Sequence, residues 1–349
     1  MSRIVFADDG IRFDGRTPGE RPLGGVESSV VFLMEEFARR GHEVLVRNKC
    51  DAPIVHNGVD WAPIDSDRPY GNMPEQADLY IANRGDRLID LMPKARRTVF
   101  WTHNPAGYMV KWRYLRKMWK VRPDIVFIGT YHATTYPRWA PAGRRIVIPY
   151  GIPDLFRKAG TADAPPPPRA VFTSNPLRSL SWLLDVWAEK IRPQVPDAEL
   201  HVFSGPATYG GVGDAKADAM RTILEKAERL SGQGVVLRDP LPKTELVGEL
   251  RQARVMLYRG DLNETFCLAV GEAQAVGVPA VVQDLGSMAE RVADGETGFV
   301  ADDDDSFAES AVRLLSDDAL WMRCHEGALD KQRRWGWPDA AAAFEELIP

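Results

Sequence analysis

The chain has 349 residues, which is enough for two domains of ordinary size. Hydrophobic residues make up 44% of it and charged residues 27%, a composition typical of globular proteins that excludes a disordered chain. The net charge of -5 gives no reason to expect a nucleic-acid partner, and the cysteines, Cys50, Cys267 and Cys324, lack the spacing of a disulfide framework or a zinc site.

The sequence shows neither a signal-peptide core after Met1 nor an apolar run of the length that spans a bilayer. Unpaired cysteines also fit a reducing compartment. We therefore expect a cytoplasmic protein, attached at most to the inner face of the cell membrane.

Short apolar runs alternate with helical patterns along the chain, which predicts parallel sheets covered by helices on both faces. In the first half the predicted strands are Ile4–Ala7, Val44–Val46, Leu79–Ala82, Thr98–Trp101 and Ile125–Ile128. The predicted helices there are Val26–Arg40, which Gly41 can end with a left-handed cap, and Tyr108–Val121.

A proline run, Pro165–Pro168, interrupts this pattern and predicts a stiff spacer near the join of two domains, 1–163 and 164–335. Alternation then resumes with the strands Ala170–Thr173, Glu199–Phe203, Val235–Leu237, Val255–Tyr258 and Ala280–Val282 and with intervening helices, among them Ala215–Leu230 and Thr244–Ala253. Asp302–Asp305 come between a strand and a helix, where helix N-terminal charge explains them better than metal binding.

The segment Asn263–Pro279 is predicted to contain a short helix with Thr265 as its N-cap. Unpaired amides at the positive end of such a helix suit a diphosphate, and here they would be those of Phe266, Cys267 and Leu268. Glu264 sits just before this end and Glu272 about two turns along. The alternative is that Glu264 caps the helix and Glu272 is a solvated surface residue.

This segment resembles the Glu-x7-Glu motif of retaining GT-B glycosyltransferases, in particular those of family 4 (group 1), and the resemblance continues through Gly286–Glu290 and Asp294–Val300. It implies that Glu264 contacts donor-sugar hydroxyls, that Glu272 contacts the ribose, and that the amides after Glu264 hold the phosphate. It also implies a GT-B fold: two Rossmann-like doubly wound domains facing across a cleft, with a final helix in 336–349 that crosses back onto the first domain.

The family stabilises the leaving phosphate with an Arg and a Lys after the first strand of the second domain, so the resemblance implies neither metal nor cofactor. In this sequence Arg178 takes the Lys position and can bind two phosphate oxygens, unless it is a solvated helix-surface residue. Ser174 or Asn175 replaces the Arg, which is a departure from the family pattern. The loop Arg238–Lys243, with Arg238 and Leu241, resembles the one that meets the nucleobase, although a plain turn fits it equally.

Three segments resemble first-domain motifs of the same family. Gly24 and Gly25 precede a helix, where glycine lets backbone amides approach a phosphate closely. His103 follows a predicted strand, and the resemblance implies that it contacts the donor sugar; the alternative is a structural histidine. Tyr150 stands where the family has Asn. Ser204–Gly213 begins like the family's turn after a strand and otherwise predicts a surface loop.

The segment Lys111–Arg122 carries six positive residues and no acid. Tyr108, Trp112, Leu115 and Trp119 follow helical spacing and predict one apolar face. Such a helix can lie on anionic lipid, as a peripheral membrane contact of 108–122, or can pack this face on the sheet with its cations in solvent.

The sequence thus predicts retaining, metal-independent transfer of a sugar from a nucleotide-diphosphate sugar, UDP- or GDP-linked, to a glycan, lipid-linked or small-molecule acceptor, in bacterial polysaccharide or glycoconjugate synthesis. The resemblance implies a monomer or homodimer. A GT-B epimerase or phosphorylase and a non-catalytic binding protein stay open as alternatives. An oxidoreductase is disfavoured, because Asp8–Gly15 supplies no Gly-x-Gly-x-x-Gly turn.

Overall fold

The computed structural model describes residues 1–65, 71–205 and 216–349. The chain forms two compact units. The first comprises Met1–Pro18, Gly25–Gly151 and Trp337–Pro349, and the second comprises Gly19–Gly24 and Ile152–Gly336. None of the helices in the described ranges has the length and apolar character needed to cross a membrane.

An eight-stranded sheet forms the centre of the first unit, in the order β3-β4-β2-β1-β5-β6-β7-β8. Its strands are β1 (Arg3–Asp8), β2 (Glu43–Asn48), β3 (Ile54–His56), β4 (Val59–Pro63), β5 (Leu79–Asn83), β6 (Arg97–Trp101), β7 (Asp124–Phe127) and β8 (Arg145–Val147). All neighbouring strands pair in parallel except β3 and β4. The order reverses between β1 and β5, so their carboxyl ends form the topological switch point of this sheet.

The helices of the first half of the chain are α1 (Thr17–Glu20), α2 (Gly25–Arg39), α3 (Trp112–Val121) and α4 (Thr130–Thr134), with 3-10 turns at Asp86–Leu88 and Ala106–Val110. On α2 the buried residues Val30, Leu33, Met34 and Phe37 recur at the spacing of one helix face. Gly41 follows this helix with a φ of +89°, as its predicted role in ending the helix requires.

The second unit contains a parallel six-stranded sheet, in the order β11-β10-β9-β12-β13-β14. Its strands are β9 (Arg169–Phe172), β10 (Glu199–Phe203), β11 (Val235–Arg238), β12 (Val255–Leu257), β13 (Ala280–Gln283) and β14 (Gly298–Ala301). The order reverses between β9 and β12, which places the switch point of this sheet at their carboxyl ends.

Helices cover this second sheet on both faces, as the prediction of a doubly wound domain requires. They are α5 (Asp154–Arg157), α6 (Leu180–Val186) with a π-helical continuation at Trp187–Ile191, α7 (Ala217–Arg229), α8 (Lys243–Leu250), α9 (Leu268–Ala275), α10 (Met288–Arg291), α11 (Asp304–Ser316) and α12 (Asp318–Gln332). Asp303 caps α11 through a reciprocal capping box with Ser306, which accounts for the aspartate run.

The last helix, α13 (Trp337–Glu345), belongs to the first unit, as predicted for the crossing helix. The Phe344 ring packs edge-on against Phe37 of α2 and against Trp101 of β6, at centroid distances of 6.2 and 5.4 Å. The Glu345 carboxylate accepts hydrogen bonds from Arg40 and from His42. Aromatic packing and these polar contacts therefore hold α13 on the first unit.

The structure places the division between units at Gly151 and Ile152, earlier than the predicted boundary of 163/164. The reason is hydrophobic: Ile152 and Phe156 are buried in the core of the second unit. The proline run Pro165–Pro168 consequently lies inside the second unit. The return to the first unit falls at Trp337, after the predicted 335/336 boundary.

Two local predictions for the first unit were wrong. The hairpin of β3 and β4 was missed, although its turn is Asn57-Gly58, with φ of +48° and +78°, the strongest short hairpin signal. The predicted helix Tyr108–Val121 is broken at Lys111, whose extended backbone separates a 3-10 turn from α3. Of the predicted loop Ser204–Gly213, residues 206–213 lie outside the described ranges.

Candidate functional site

The switch point of the second sheet brings together two of the residues that the sequence marks as a donor site. Arg178 lies in the loop after β9, and Glu264 lies in the loop after β12. The Arg178 Nη1 atom is 3.2 Å from Asp261 Oδ1 and 3.7 Å from Glu264 Oε2. Arg178 is therefore not a freely solvated surface residue. It forms the cationic centre of this edge of the sheet.

Three segments hold Glu264. Its Oε2 atom accepts a hydrogen bond from the Tyr258 hydroxyl at 2.7 Å, and its Oε1 atom accepts one from the Cys267 amide at 3.2 Å. Its carbonyl oxygen accepts the Ser287 amide at 3.0 Å. Burial raises the pKa of Tyr258 well above its usual value, so the hydroxyl stays a donor. The carboxylate is thus fixed in position, with 17% of the side chain exposed.

The helix after Glu264 begins later than predicted. Cys267, not Thr265, occupies its N-cap position, in the left-handed region at φ +60°, and α9 starts at Leu268. The Cys267 amide is already used by Glu264, so the prediction that it is unpaired was wrong. Thr265 and Phe266 precede the helix, and Leu268 opens its first turn at the positive end.

Backbone conformations that L-residues rarely adopt occur beside both switch points. Among the described residues, five that are not glycine have positive φ, and of these Arg84, Ser179 and Cys267 follow β5, β9 and β12. Strain of this kind often marks a functional site. Gly286 at φ +68° is required for the same loop, because a Cβ atom there would lie 2.6 Å from the Glu264 carbonyl oxygen.

Asn175 shapes the loop that carries Arg178. Its Oδ1 atom accepts the Leu177 amide at 2.9 Å, and its carbonyl oxygen accepts the Arg178 amide at 2.8 Å. The side chain that replaces the family's Arg therefore supports a turn. Asn175 supplies no positive charge at the position of the family's Arg, and its role in this loop is structural.

Glu272 lies on α9 with 4% of its side chain exposed and forms an ion pair with Lys243 at the start of α8. The alternative interpretation of Glu272 as a solvated residue is therefore wrong. In the sequence, Lys243 only marks the end of the loop that resembles the nucleobase-contacting one. Its pairing with Glu272 could not be predicted. In the same loop Arg238 is exposed at the end of β11, while Leu241 is half-buried against the core.

His103 follows β6 in the first unit and is buried. Its Nε2 atom is 2.5 Å from Asn83 Oδ1, and its Nδ1 atom is 2.5 Å from the Tyr150 hydroxyl. Burial lowers the pKa of His103 well below its usual value, so the ring is neutral at pH 7. Both ring nitrogens have protein partners. The contact of His103 with a donor sugar stays a prediction. Tyr150 is now identified as a hydrogen-bond partner of His103.

The switch point of the first sheet holds an ionic cluster that the sequence did not reveal. Arg84 Nη2 is 2.7 Å from Glu27 Oε1 and 3.3 Å from Asp8 Oδ2. Burial raises the pKa of Asp8, and Arg84 opposes this shift. A Cβ atom on Gly10 would lie 2.1 Å from Arg84 Nη2, so a larger residue there would displace the guanidinium. Of the predicted glycines, Gly25 begins the helix that carries Glu27, and Gly24 directly precedes it.

Solved structures of other proteins share the fold of this chain. Sucrose-phosphate synthase from Thermosynechococcus elongatus aligns over 99% of this chain and 98% of its own, with a TM-score of 0.74 and 16% identity. A trehalose-6-phosphate structure from E. coli bound with UDP-2-fluoro glucose aligns over 99% of both chains, with a TM-score of 0.68 and 15% identity. An Anabaena structure in complex with UDP and glucose also aligns over 99% of both chains, with a TM-score of 0.71 and 14% identity. Identities this low show the fold alone, and that fold is the GT-B fold of glycosyltransferases.

The second unit carries the sequence similarity to a known family. Residues 168–317 match the family model described as Glycosyl transferases group 1. D-inositol 3-phosphate glycosyltransferase from Corynebacterium glutamicum (strain R) is 35% identical over 157 residues, which are 44% of this chain and 36% of that protein. The protein of the same name from Streptomyces bingchenggensis (strain BCW-1) is 30% identical over 188 residues, 47% of this chain and 40% of that protein. The predicted resemblance to group 1 glycosyltransferases is confirmed, and the matches span less than half the length of these relatives.

Proposed function

We propose that this chain is a retaining glycosyltransferase that transfers a sugar from a UDP- or GDP-sugar to a hydroxyl of a glycan, lipid-linked or small-molecule acceptor, without a metal ion. The observation that carries the proposal is the convergence of Arg178, Glu264 and the start of α9 at the switch point of the second sheet. This is where doubly wound sheets bind ligands. The sequence match to group 1 glycosyltransferases includes all three.

In this proposal Arg178 neutralises charge on the departing diphosphate, and the first-turn amides of α9 add partial positive charge. Glu264 accepts hydrogen bonds from the donor sugar, held in place by Tyr258 and the Cys267 amide. Catalysis then depends on positioning and charge stabilisation. The oxygen that leaves with the phosphate takes the acceptor proton as the new glycosidic bond forms on the same face.

Glu272 and Lys243 form the second part of the proposed donor site. A carboxylate has about four lone-pair sites. Glu272 can therefore accept hydrogen bonds from two ribose hydroxyls while it stays paired with Lys243. In the first unit, Glu27 pairs with Arg84 through Oε1 and keeps its other carboxylate oxygen for an acceptor hydroxyl, whereas Asp8 is fully buried and serves to hold Arg84.

A thermal-shift screen with UDP-, GDP-, ADP- and dTDP-sugars tests donor binding, because a specific donor raises the melting temperature by mass action. The stabilising donor is then incubated with candidate acceptors in EDTA, and the anomeric configuration of the product is read by NMR. Retained configuration in EDTA is expected. Inversion, or activity that needs added metal, would contradict the proposed mechanism.

The second candidate is a binding protein that holds a nucleotide sugar without turnover. Asp261 already neutralises part of the charge on Arg178, and Asn175 supplies no positive charge of its own. Less charge is then left to stabilise a departing phosphate, which favours this candidate over a phosphorylase or epimerase. Tight donor binding with neither transfer nor hydrolysis would establish it.

A further inference from the structure

The outward face of α3 exposes two tryptophans. Trp112 is 70% exposed and Trp119 is 65% exposed, whereas Tyr114 and Met118 on the opposite face are buried. At 3.6 residues per turn, Trp112, Arg116 and Trp119 follow one another along a single stripe. The predicted apolar face is therefore divided: Tyr108 and Leu115 pack against the core of the first unit, whereas Trp112 and Trp119 do not. Its tryptophans point into solvent.

The same face is strongly cationic in a chain whose net charge is -5. Two of the six basic residues of Lys111–Arg122 are paired inside the unit, Arg113 with Asp86 at 3.2 Å and Lys117 with Asp90 at 2.7 Å. The other four form no ion pair with any part of the chain that the structure describes, and they are Lys111, Arg116, Lys120 and Arg122.

The buried side of α3 holds the helix without help from the tryptophans. The Tyr114 hydroxyl donates to the Arg84 carbonyl oxygen at 3.1 Å, and the Tyr114 ring packs edge-on against Phe100 at 6.2 Å. Met118 is fully buried in the same core. Because these contacts fix the helix, the two indoles contribute little to folding, and a rigid surface presents them.

We infer that this face of α3 binds the surface of an anionic lipid membrane. Indole rings favour the headgroup region, where the ring is buried and the N–H stays hydrated, and Arg and Lys attract anionic headgroups. A helix of ten residues is about 15 Å long and lies along the interface. Large apolar rings at both ends of the stripe favour lipid over a purely ionic partner such as duplex phosphate.

Vesicle co-sedimentation of the full chain tests this inference. Phosphatidylcholine vesicles containing phosphatidylglycerol should pellet the protein, and pure phosphatidylcholine vesicles should not. Trp112→Ala/Trp119→Ala and Arg116→Ser/Lys120→Ser should each weaken the partition, the latter by roughly fivefold for each cation removed. Salt near 1 M should release the protein, because it screens exposed charges.

The matched control is Arg229→Ser/Arg323→Ser, which removes two exposed cations from the second unit and should leave the partition unchanged. Circular dichroism and donor thermal shift verify that every variant is folded. Equal binding to neutral vesicles, or binding that neither α3 variant weakens, would overturn the inference. So would an α3-dependent dimer or an α3-dependent complex with single-stranded RNA in place of lipid binding.

Discussion

Arg178 and Glu264 approach to 3.7 Å although they follow different strands, and Asp261 lies 3.2 Å from the same guanidinium. The cation proposed to bind the diphosphate is therefore shared between two carboxylates. A donor phosphate must compete with Asp261 for Arg178, and the net charge of the site depends on that competition. Substitutions of Arg178 and of Asp261 can therefore separate the binding of the phosphate from the competition for the guanidinium.

Removal of the guanidinium should mainly affect turnover. Arg178→Ala should lower kcat by about 10²- to 10³-fold, the loss typical of a charge-stabilising group, and Arg178→Lys should recover part of it. Steady-state kinetics with the preferred donor give the values. Arg251→Ala, which removes an exposed arginine elsewhere in the second unit, should leave kcat unchanged. A normal kcat for Arg178→Ala would exclude Arg178 from the chemistry.

Asp261→Asn should strengthen donor binding. The amide keeps the shape of the side chain and its acceptor oxygen, while the charge that competes for Arg178 is lost. We expect the Kd for the donor to fall severalfold, by calorimetry. Weaker binding would mean that Asp261 positions Arg178 and does not compete with the phosphate.

Glu272→Gln should weaken both folding and donor binding, because Lys243 would lose its buried partner. Breaking a buried ion pair typically costs about 3 kcal/mol of unfolding free energy. The double variant Lys243→Met/Glu272→Gln should recover stability in chemical denaturation without recovering donor binding. Recovery of both properties would show that the pair is structural only.

Tyr150→Phe should test the hydrogen bond between His103 and Tyr150, the residue that stands where the family has Asn. The His103 Nδ1 atom would lose its 2.5 Å partner in a buried site, at a cost of about 1 kcal/mol. Urea unfolding measures the loss. An unchanged free energy of unfolding would contradict a stabilising role for the His103–Tyr150 hydrogen bond.

Stability should fall in acid partly through Glu345. The hydrogen bond from Arg40, opposed by burial and aided by His42, lowers the pKa of Glu345 to about 2. A depressed carboxyl pKa stabilises the fold above the unfolded value of 4.5, and this stabilisation is lost as pH falls from there towards 2. Glu345→Gln should cost about 1 kcal/mol at pH 7, as expected of a partly exposed pair, and progressively less below pH 4. A cost that stays constant with pH would exclude this linkage.

Sequence patterns predicted what depends on local periodicity. The buried strands and amphipathic α2 were predictable because each pattern repeats within a few residues. The Arg178–Glu264 approach was predictable only through the family resemblance. The pairings Lys243–Glu272 and Arg84–Glu27 were not predictable, since each joins segments that only the tertiary fold brings together. Thr265 is a better cap by propensity than Cys267, but the turn that ties Cys267 to Glu264 decides where the helix begins.

The return of α13 to the first unit makes that unit discontinuous in the chain. During synthesis its sheet and α2 leave the ribosome long before Phe344, which covers Phe37 and Trp101. The second unit, in contrast, is complete when Gly336 has been made. Vectorial folding should therefore finish the second unit first, and the first unit should depend on Trp337–Pro349, which are made after it. A C-terminal truncation before Trp337 would consequently damage the part of the protein that is made first.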